Sequence, residues 1–179
     1  REEAPLPSSP VCNANCLGCI SYQPGYGPPS PQERIKFTPT PQELAEIAVR
    51  HIERAERAVV SFGQGCEGEP LMVAETLIEA VRLIRKATSR GTINLNSNAS
   101  RPEMVARLAE AGLDSLRISL NSAKPATYQA YYRQHYAFEN LLASARAMKV
   151  RGRFVSLNLF VFPGLTDNPA EAAALMQFI

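Results

Sequence analysis

The sequence predicts an α/β protein, a partial (βα) barrel of parallel strands with helices outside. Two observations carry this expectation. From Thr40 onward, short apolar runs of strand length alternate with longer stretches whose apolar residues recur every three or four positions. A helical segment separates each run from the next, a connection that joins parallel neighbours rather than a hairpin. A third observation marks the working end of the sheet: each predicted strand runs out into small or hydrogen-bonding residues, as a pocket for a polar ligand requires.

Taken in order, residues 1–41 hold most of the fourteen prolines and almost no periodicity, and read as loop. No strand of ordinary length fits among Pro5, Pro7 and Pro10, so a first strand lies upstream or is reduced to a stub around Val11. The stretch from Gln23 to Pro31 is a rigid excursion, either a surface linker or a lid. Thr40-Pro41-Gln42-Glu43 starts a helix, with threonine as N-cap, proline first and glutamate three past the cap. That helix places Leu44, Ile47, Ala48, Ile52 and Ala55 on one face. A buried strand follows over 58–62, then a helix over 71–89 with Ala74, Leu77, Ile78, Val81 and Ile84 inward. Thr92–Ser97 is a strand, and Ser100 to Glu103 opens the next helix with a second capping box. Gly112 ends that helix in the left-handed conformation. Ser115–Leu120 is a strand, 136–151 a helix stopped by Gly152, and 154–162 a strand. Asn168 to Glu171 caps a last helix that runs to Ile179. The chain thus divides into a cysteine-bearing, proline-rich segment (1–41) and a βα-repeat core (42–179). Four strands are legible and none closes the sheet, so the sequence reads as part of a longer protein.

Composition excludes several classes. Nineteen basic and seventeen acidic residues are mixed along the chain for a net charge of +2, leaving neither a nucleic-acid footprint nor a polybasic membrane anchor. Apolar runs are too short to span a bilayer. Four cysteines without a disulfide-framework spacing fit a reducing compartment, the cytoplasm.

Cys12, Cys16 and Cys19 form a C-x3-C-x2-C triplet that can wrap one loop around a single metal centre. It is one thiolate short of a closed site. A four-iron cluster held this way keeps one iron open to a small molecule. The competing reading is a zinc knuckle completed by Cys66, His51 or His135.

The triplet's spacing resembles that of the radical S-adenosylmethionine (SAM) enzymes, and the resemblance extends from Cys12 to about Asp167. Gly68-Glu69-Pro70 resembles the family's Gly-Gly-Glu-Pro motif, with Glu67 in place of the first glycine. Leu116 to Ser122 resembles the family's fourth strand. The resemblance implies a [4Fe–4S] cluster on the three cysteines that reductively cleaves SAM to a 5′-deoxyadenosyl radical, which abstracts hydrogen from an unspecified substrate. It implies Gly68 and Glu69 at the SAM amino group, and Ser119 and Asn121 at its ribose and methionine parts. Arg133 falls at its carboxylate and Val161 beside adenine, and Asn98 either touches the carboxylate or closes its own turn. A one-electron reductant such as flavodoxin or ferredoxin is the implied partner.

Bland readings compete. Cys66, in the loop after the 58–62 strand, is either a functional thiol or a small buried hydrophobe. His51 reads as a solvated helix residue, His135 as a surface residue, and Tyr128, Tyr131, Tyr132, Tyr136 and Phe138 as packing under the rim. Two non-enzymatic functions remain open: a metal-stapled binding module, and an electron-transfer protein whose cluster Cys66 closes.

Overall fold

The computed structural model describes residues 2–23, 25 and 29–179; Pro24, Tyr26, Gly27 and Pro28, in the expected linker or lid, lie outside the described residues. Five parallel strands form one open sheet, ordered in space as in the chain: β1 (Glu3–Pro5), β2 (Val59–Phe62), β3 (Thr92–Ser97), β4 (Ser115–Leu120) and β5 (Phe154–Leu159). The helices are α1 (Pro41–Arg54), α2 (Ala74–Ala87), α3 (Pro102–Ala111), α4 (Pro125–Tyr132), α5 (Glu139–Lys149) and α6 (Pro169–Phe178). Among the described residues no helix is long and apolar enough to cross a membrane.

The first strand is a stub at Glu3–Pro5, not around Val11, so the first forty-odd residues are not loop throughout. Val59 N–H donates to the Glu2 carbonyl and Leu6 N–H to the Ser61 carbonyl, both at 2.8 Å. One residue in two bonds a given parallel neighbour, so Glu2, Ala4 and Leu6 carry the pairing. Pro5 faces away from β2, where its missing N–H costs nothing.

The α1 capping box forms as expected: Glu43 N–H donates to Thr40 Oγ1 (3.2 Å) and Thr40 N–H to Glu43 Oε2 (2.8 Å). Its buried face runs through Leu44, Ala45, Ala48 and Ile52, while Ile47 is 56% exposed; the stripe follows the i, i+4 row more narrowly than expected. The helix expected over 71–89 begins as a 3₁₀ turn (Pro70–Val73) whose first N–H groups are taken up by Glu69, and α2 proper starts at Ala74. Its five expected core residues are all buried. The second capping box does not form. α3 is capped at Arg101 with no side-chain bond, because Ser100 Oγ is diverted to accept from Asn13 Nδ2 (2.9 Å). Gly112 takes φ 118° as expected. The segment expected as one helix over 136–151 is confined to α5, and α4 precedes it, unforeseen. β5 ends at Leu159, short of Phe162, because the chain after Phe160 turns to bond Thr166.

The sheet's two faces differ. Val60, Phe62, Ile93, Leu95, Leu116, Ile118 and Leu120 are fully buried in the main core, each such side chain contributing about 1.5–3 kcal/mol. The alternate positions are polar and line up in register: Ser61 beside Asn94 beside Ser115, Asn96 beside Arg117 beside Ser156, and Ser119 beside Asn158. Ser115 Oγ donates to Asn94 Oδ1 (2.6 Å), Asn94 Nδ2 to Ser61 Oγ (3.2 Å), and Ser61 Oγ to Glu3 Oε1 (2.6 Å). A parallel sheet buried on both faces is apolar on both. This one keeps a polar face.

Candidate functional site

The cysteine loop, residues 8–23, leaves β1 and is tied down at three places. The first is the end of α4. Asn15 N–H donates to the Tyr132 carbonyl and Leu17 N–H to the Tyr131 carbonyl, both at 3.0 Å. The last carbonyls of a helix lack partners inside it, so α4 offers ready acceptors. Arg133 ends the helix with φ 46°, and His135 N–H returns a bond to the Asn13 carbonyl at 3.2 Å.

The second attachment is the end of β3, where Asn98 Nδ2 donates to Asn13 Oδ1 at 2.7 Å. The third is the loop before α2. Gly68 N–H donates to the Ser9 carbonyl (2.6 Å) and Glu69 N–H to the Val11 carbonyl (2.8 Å), a short extended pairing. A Cβ on Gly68 would lie 2.0 Å from the Val11 carbonyl oxygen, so only glycine allows this approach.

Glu67, which departs from the family motif, has a structural task. Its buried carboxylate accepts from Ser8 N–H (2.8 Å), Ser8 Oγ (2.7 Å) and Ser9 N–H (3.0 Å) through Oε2, and from Gly63 N–H (2.6 Å) through Oε1. It braces the chain entering the cysteine loop against the end of β2. Glu69, equally buried, accepts from Ser97 Oγ (2.5 Å) and Leu71 N–H (3.1 Å) through Oε1 and from Asn98 N–H (2.9 Å) through Oε2. Burial pushes its carboxyl up to about 7 against the pull of those three donors.

The thiols are crowded. Burial raises Cys12, and burial with the neighbouring Cys12 and Cys19 pushes Cys16 up to about 12. Burial acts upward at Cys19 too, but Ser21, the Tyr22 amide and Arg34 outweigh it and hold that thiol below its ordinary value. Three half-buried thiols this close together can ionise together only with positive charge among them. Among the described residues no three His, Cys, Asp or Glu gather closely enough to enclose one ion. Of the zinc partners considered, His51 Nε2 bonds the Glu2 carbonyl (2.7 Å), away from the triplet, while His135 Nε2 pairs with Asn15 Nδ2 (3.2 Å) on the cysteine loop itself. Cys66 lines a separate cleft of about 540 Å³ with Glu3, Gln32, Glu33 and Gln64.

The expected cofactor residues fall into two groups. Gly68, Glu69 and Asn98 are bonded to the cysteine loop, and Arg133 shares a 150 Å³ cavity with Cys16, Cys19 and Arg34. Asn121 and Val161 line a 410 Å³ cavity beyond the ends of β4 and β5, with Ser122, Asp167 and Glu171. Ser119 lies half-buried on the polar sheet face, two residues before Asn121. Asn121 is buried, and its Oδ1 has no hydrogen-bond partner. An orphaned buried acceptor costs about 1–3 kcal/mol, and a hydroxyl-rich cofactor fits it. The tyrosines pack as expected: Tyr128 and Tyr132 are buried and stack at 4.3 Å between centroids.

Sequence reasoning missed Asn13, Ser97 and Arg34. Asn13 sits inside the cysteine triplet itself, which could have drawn notice to it. Ser97 lay in a strand end read only as generically polar, and Arg34 had no signal among the prolines.

A family model described as the Radical SAM superfamily matches residues 6–176. Among curated relatives, the GTP 3',8-cyclase of Lactiplantibacillus plantarum is 29% identical over 159 residues, covering 88% of this chain and 45% of the relative. The probable dual-specificity RNA methyltransferase RlmN of a Synechococcus strain is 28% identical over 117 residues, 63% of this chain and 33% of the relative. The chain therefore spans less than half the length of these relatives. A radical SAM methyltransferase from Sphaerobacter thermophilus superposes with TM-score 0.71 at 19% identity, over 98% of this chain and 52% of that one. The AdoMet-bound structure of anSMEcpe gives 0.64 at 17% identity, over 87% and 43%. At such identities these structures speak for the fold alone.

Proposed function

The chain belongs to the radical SAM superfamily, whose cofactors are a [4Fe–4S] cluster and SAM, and on that premise we propose that it is the catalytic core of a radical SAM enzyme. Cys12, Cys16 and Cys19 hold three irons and leave the fourth to SAM. The observation that supports this reading is the continuous bonding from Asn13, inside the triplet, through Asn98 to Glu69, which ties the cysteine loop and the Gly68-Glu69 loop into one unit. When bound, the cofactors supply a one-electron cleavage of SAM and a 5′-deoxyadenosyl radical that takes hydrogen from a substrate.

The chain's own residues bind and orient. Gly68 brings its backbone against the cysteine loop, and Glu69, aimed by Ser97, Leu71 and Asn98, keeps acceptor capacity for the SAM ammonium. A cation there returns its carboxyl to the ionised form. Arg133 pairs with the SAM carboxylate, Ser119 and Asn121 accept from its hydroxyls, and Val161 covers adenine. The substrate we infer is polar. Ser61, Asn94, Asn96, Ser115, Ser119, Ser156 and Asn158 line one sheet face, and Arg117, also on that face, is the only charged residue of β2 to β5. The relatives' names divide between a GTP cyclase and an RNA methyltransferase, so similarity carries the core chemistry and no particular substrate. An external one-electron donor of the flavodoxin or ferredoxin kind, in the cytoplasm, completes the scheme.

Anaerobic reconstitution of the full protein tests this. A brown protein is expected whose reduced-cluster electron paramagnetic resonance (EPR) signal changes on adding SAM. Alanine at Cys12, Cys16 or Cys19 should abolish the cluster, and alanine at Cys66 should spare it. A cluster indifferent to SAM and lost without Cys66 would establish electron transfer instead, and a colourless zinc protein would establish a metal staple.

A further inference from the structure

The chain that leaves the cysteine loop comes back to it. Gln23 Nε2 donates to the Cys19 carbonyl (2.8 Å) on the way out, and Gln32 N–H donates to the Ile20 carbonyl (3.1 Å) on return. Ile35 N–H then bonds the Cys66 carbonyl at 2.9 Å. Between the last two anchors stands Arg34, half-buried. Its Nε donates to Ser21 Oγ (3.1 Å), its Nη2 to Cys19 Sγ (3.5 Å), and its guanidinium lies 5.1 Å from the centroid of the Tyr22 ring. Ser21 is 6% exposed and donates its own hydroxyl to the Glu67 carbonyl at 3.0 Å, so the acceptor that aims Arg34 is itself fixed. Among the described residues Arg34 forms no ion pair with a carboxylate. A permanent, uncancelled positive charge therefore sits against one sulfur of the triplet.

We propose that Arg34 is a positioning residue that sets the reduction potential of the cluster, through its charge and its N–H donor at Cys19. The proposal rests on the reading of the triplet as cluster ligands. Adding an electron to the cluster raises electron density on its sulfurs, so a cation and a donor at Cys19 stabilise the reduced form more than the oxidised and raise the potential. Arginine suits the place better than lysine. Its planar fork spans Ser21 and Cys19 together, its face stacks on Tyr22, and it stays charged at every physiological pH. No side-chain N–H reaches Cys12 or Cys16 among the described residues, so the hydrogen bond acts through Cys19, while the charge is felt at Cys12 as well.

The test is potentiometry followed by EPR on the reconstituted full protein, comparing wild type with Arg34→Gln and Arg34→Met, alongside iron content. Both variants are neutral; the first keeps a donor and the second keeps length against Tyr22. At full iron, the ratio of reduced to oxidised cluster at a fixed potential is expected to fall at least tenfold, a downward shift of 59 mV or more for one electron. A wild-type potential in either iron-replete variant overturns the proposal. Loss of iron in both variants also overturns it, since Arg34 would then serve only to hold the loop. Failure of the wild type itself to take up a SAM-responsive cluster would instead remove the underlying assignment.

Discussion

Replacing Glu67 by glutamine keeps its shape and removes its charge. The carboxylate serves four donors: two from Ser8, one from Ser9 and one from Gly63. An amide has one acceptor oxygen. Its best placement gives that oxygen to the Ser8 and Ser9 donors and turns the NH2 onto Gly63 N–H, setting two donors 2.6 Å apart. The Gly63 N–H is then orphaned at a cost of about 1–3 kcal/mol, and the remaining bonds fall from charge-assisted to neutral strength, about 1 kcal/mol each. Allowing for relaxation, the loss comes to about 4 kcal/mol, a large part of the ~5–15 kcal/mol that holds a typical domain together. In urea, with a slope of about 2 kcal/mol per molar, the unfolding midpoint of the cluster-free protein should drop by about 2 M. Hydrogen exchange at the Ser8, Ser9 and Gly63 amides should accelerate in step. A midpoint within about 0.3 M of wild type, with those amides still protected, would refute the idea that a buried carboxylate braces the metal loop.

Two further outcomes follow from the same site. Burial raises the Glu69 carboxyl from 4.5 to about 7, so between those values the folded cluster-free protein holds a proton that the unfolded chain has released. The stabilisation is full below pH 4.5 and is lost as pH rises toward about 7, on the order of 3 kcal/mol across the window; denaturation midpoints at several pH values should show this decline in wild type and not in Glu69→Gln. Asn121→Ala removes an orphaned acceptor, so the stability of the cofactor-free protein should stay within about 1 kcal/mol of wild type while SAM affinity, measured by calorimetry on the reconstituted protein, falls about tenfold.

What could be read in the residues, and what could not, divides along physical lines. β3 and β4 have their expected bounds because their apolar side chains alternate cleanly with polar ones and their neighbours are turn formers. The cysteine triplet was legible because its three thiols lie within one loop. β1 was misplaced because prolines were counted against it, whereas only alternate residues bond a parallel neighbour and Pro5 is not one of them. α4 escaped because only Tyr128 and Tyr132 of its eight residues are buried, too few to show a period. Glu67 looked like a missing glycine. Its donors at Ser8 and Ser9 lie 58 or 59 residues away in the chain, and a bond between a carboxylate and distant backbone leaves no local pattern to read.

The attachment of the cysteine loop to α4 also has a meaning in time. Ribosomes deliver the chain from its amino end, so the thiols emerge before α4. His135, which pairs with Asn15 of the same loop, follows it by 120 residues, which at about 5–20 residues per second is a delay of roughly 6–24 s. Through that interval the loop lacks the helix end that receives Asn15 and Leu17, the β3 terminus that receives Asn13, or both. The nascent thiols are thus exposed to oxidants and stray metals before any shaped site exists. Delivery of iron and sulfide to an ordered loop has to wait until α4 has been made and has folded back onto its beginning.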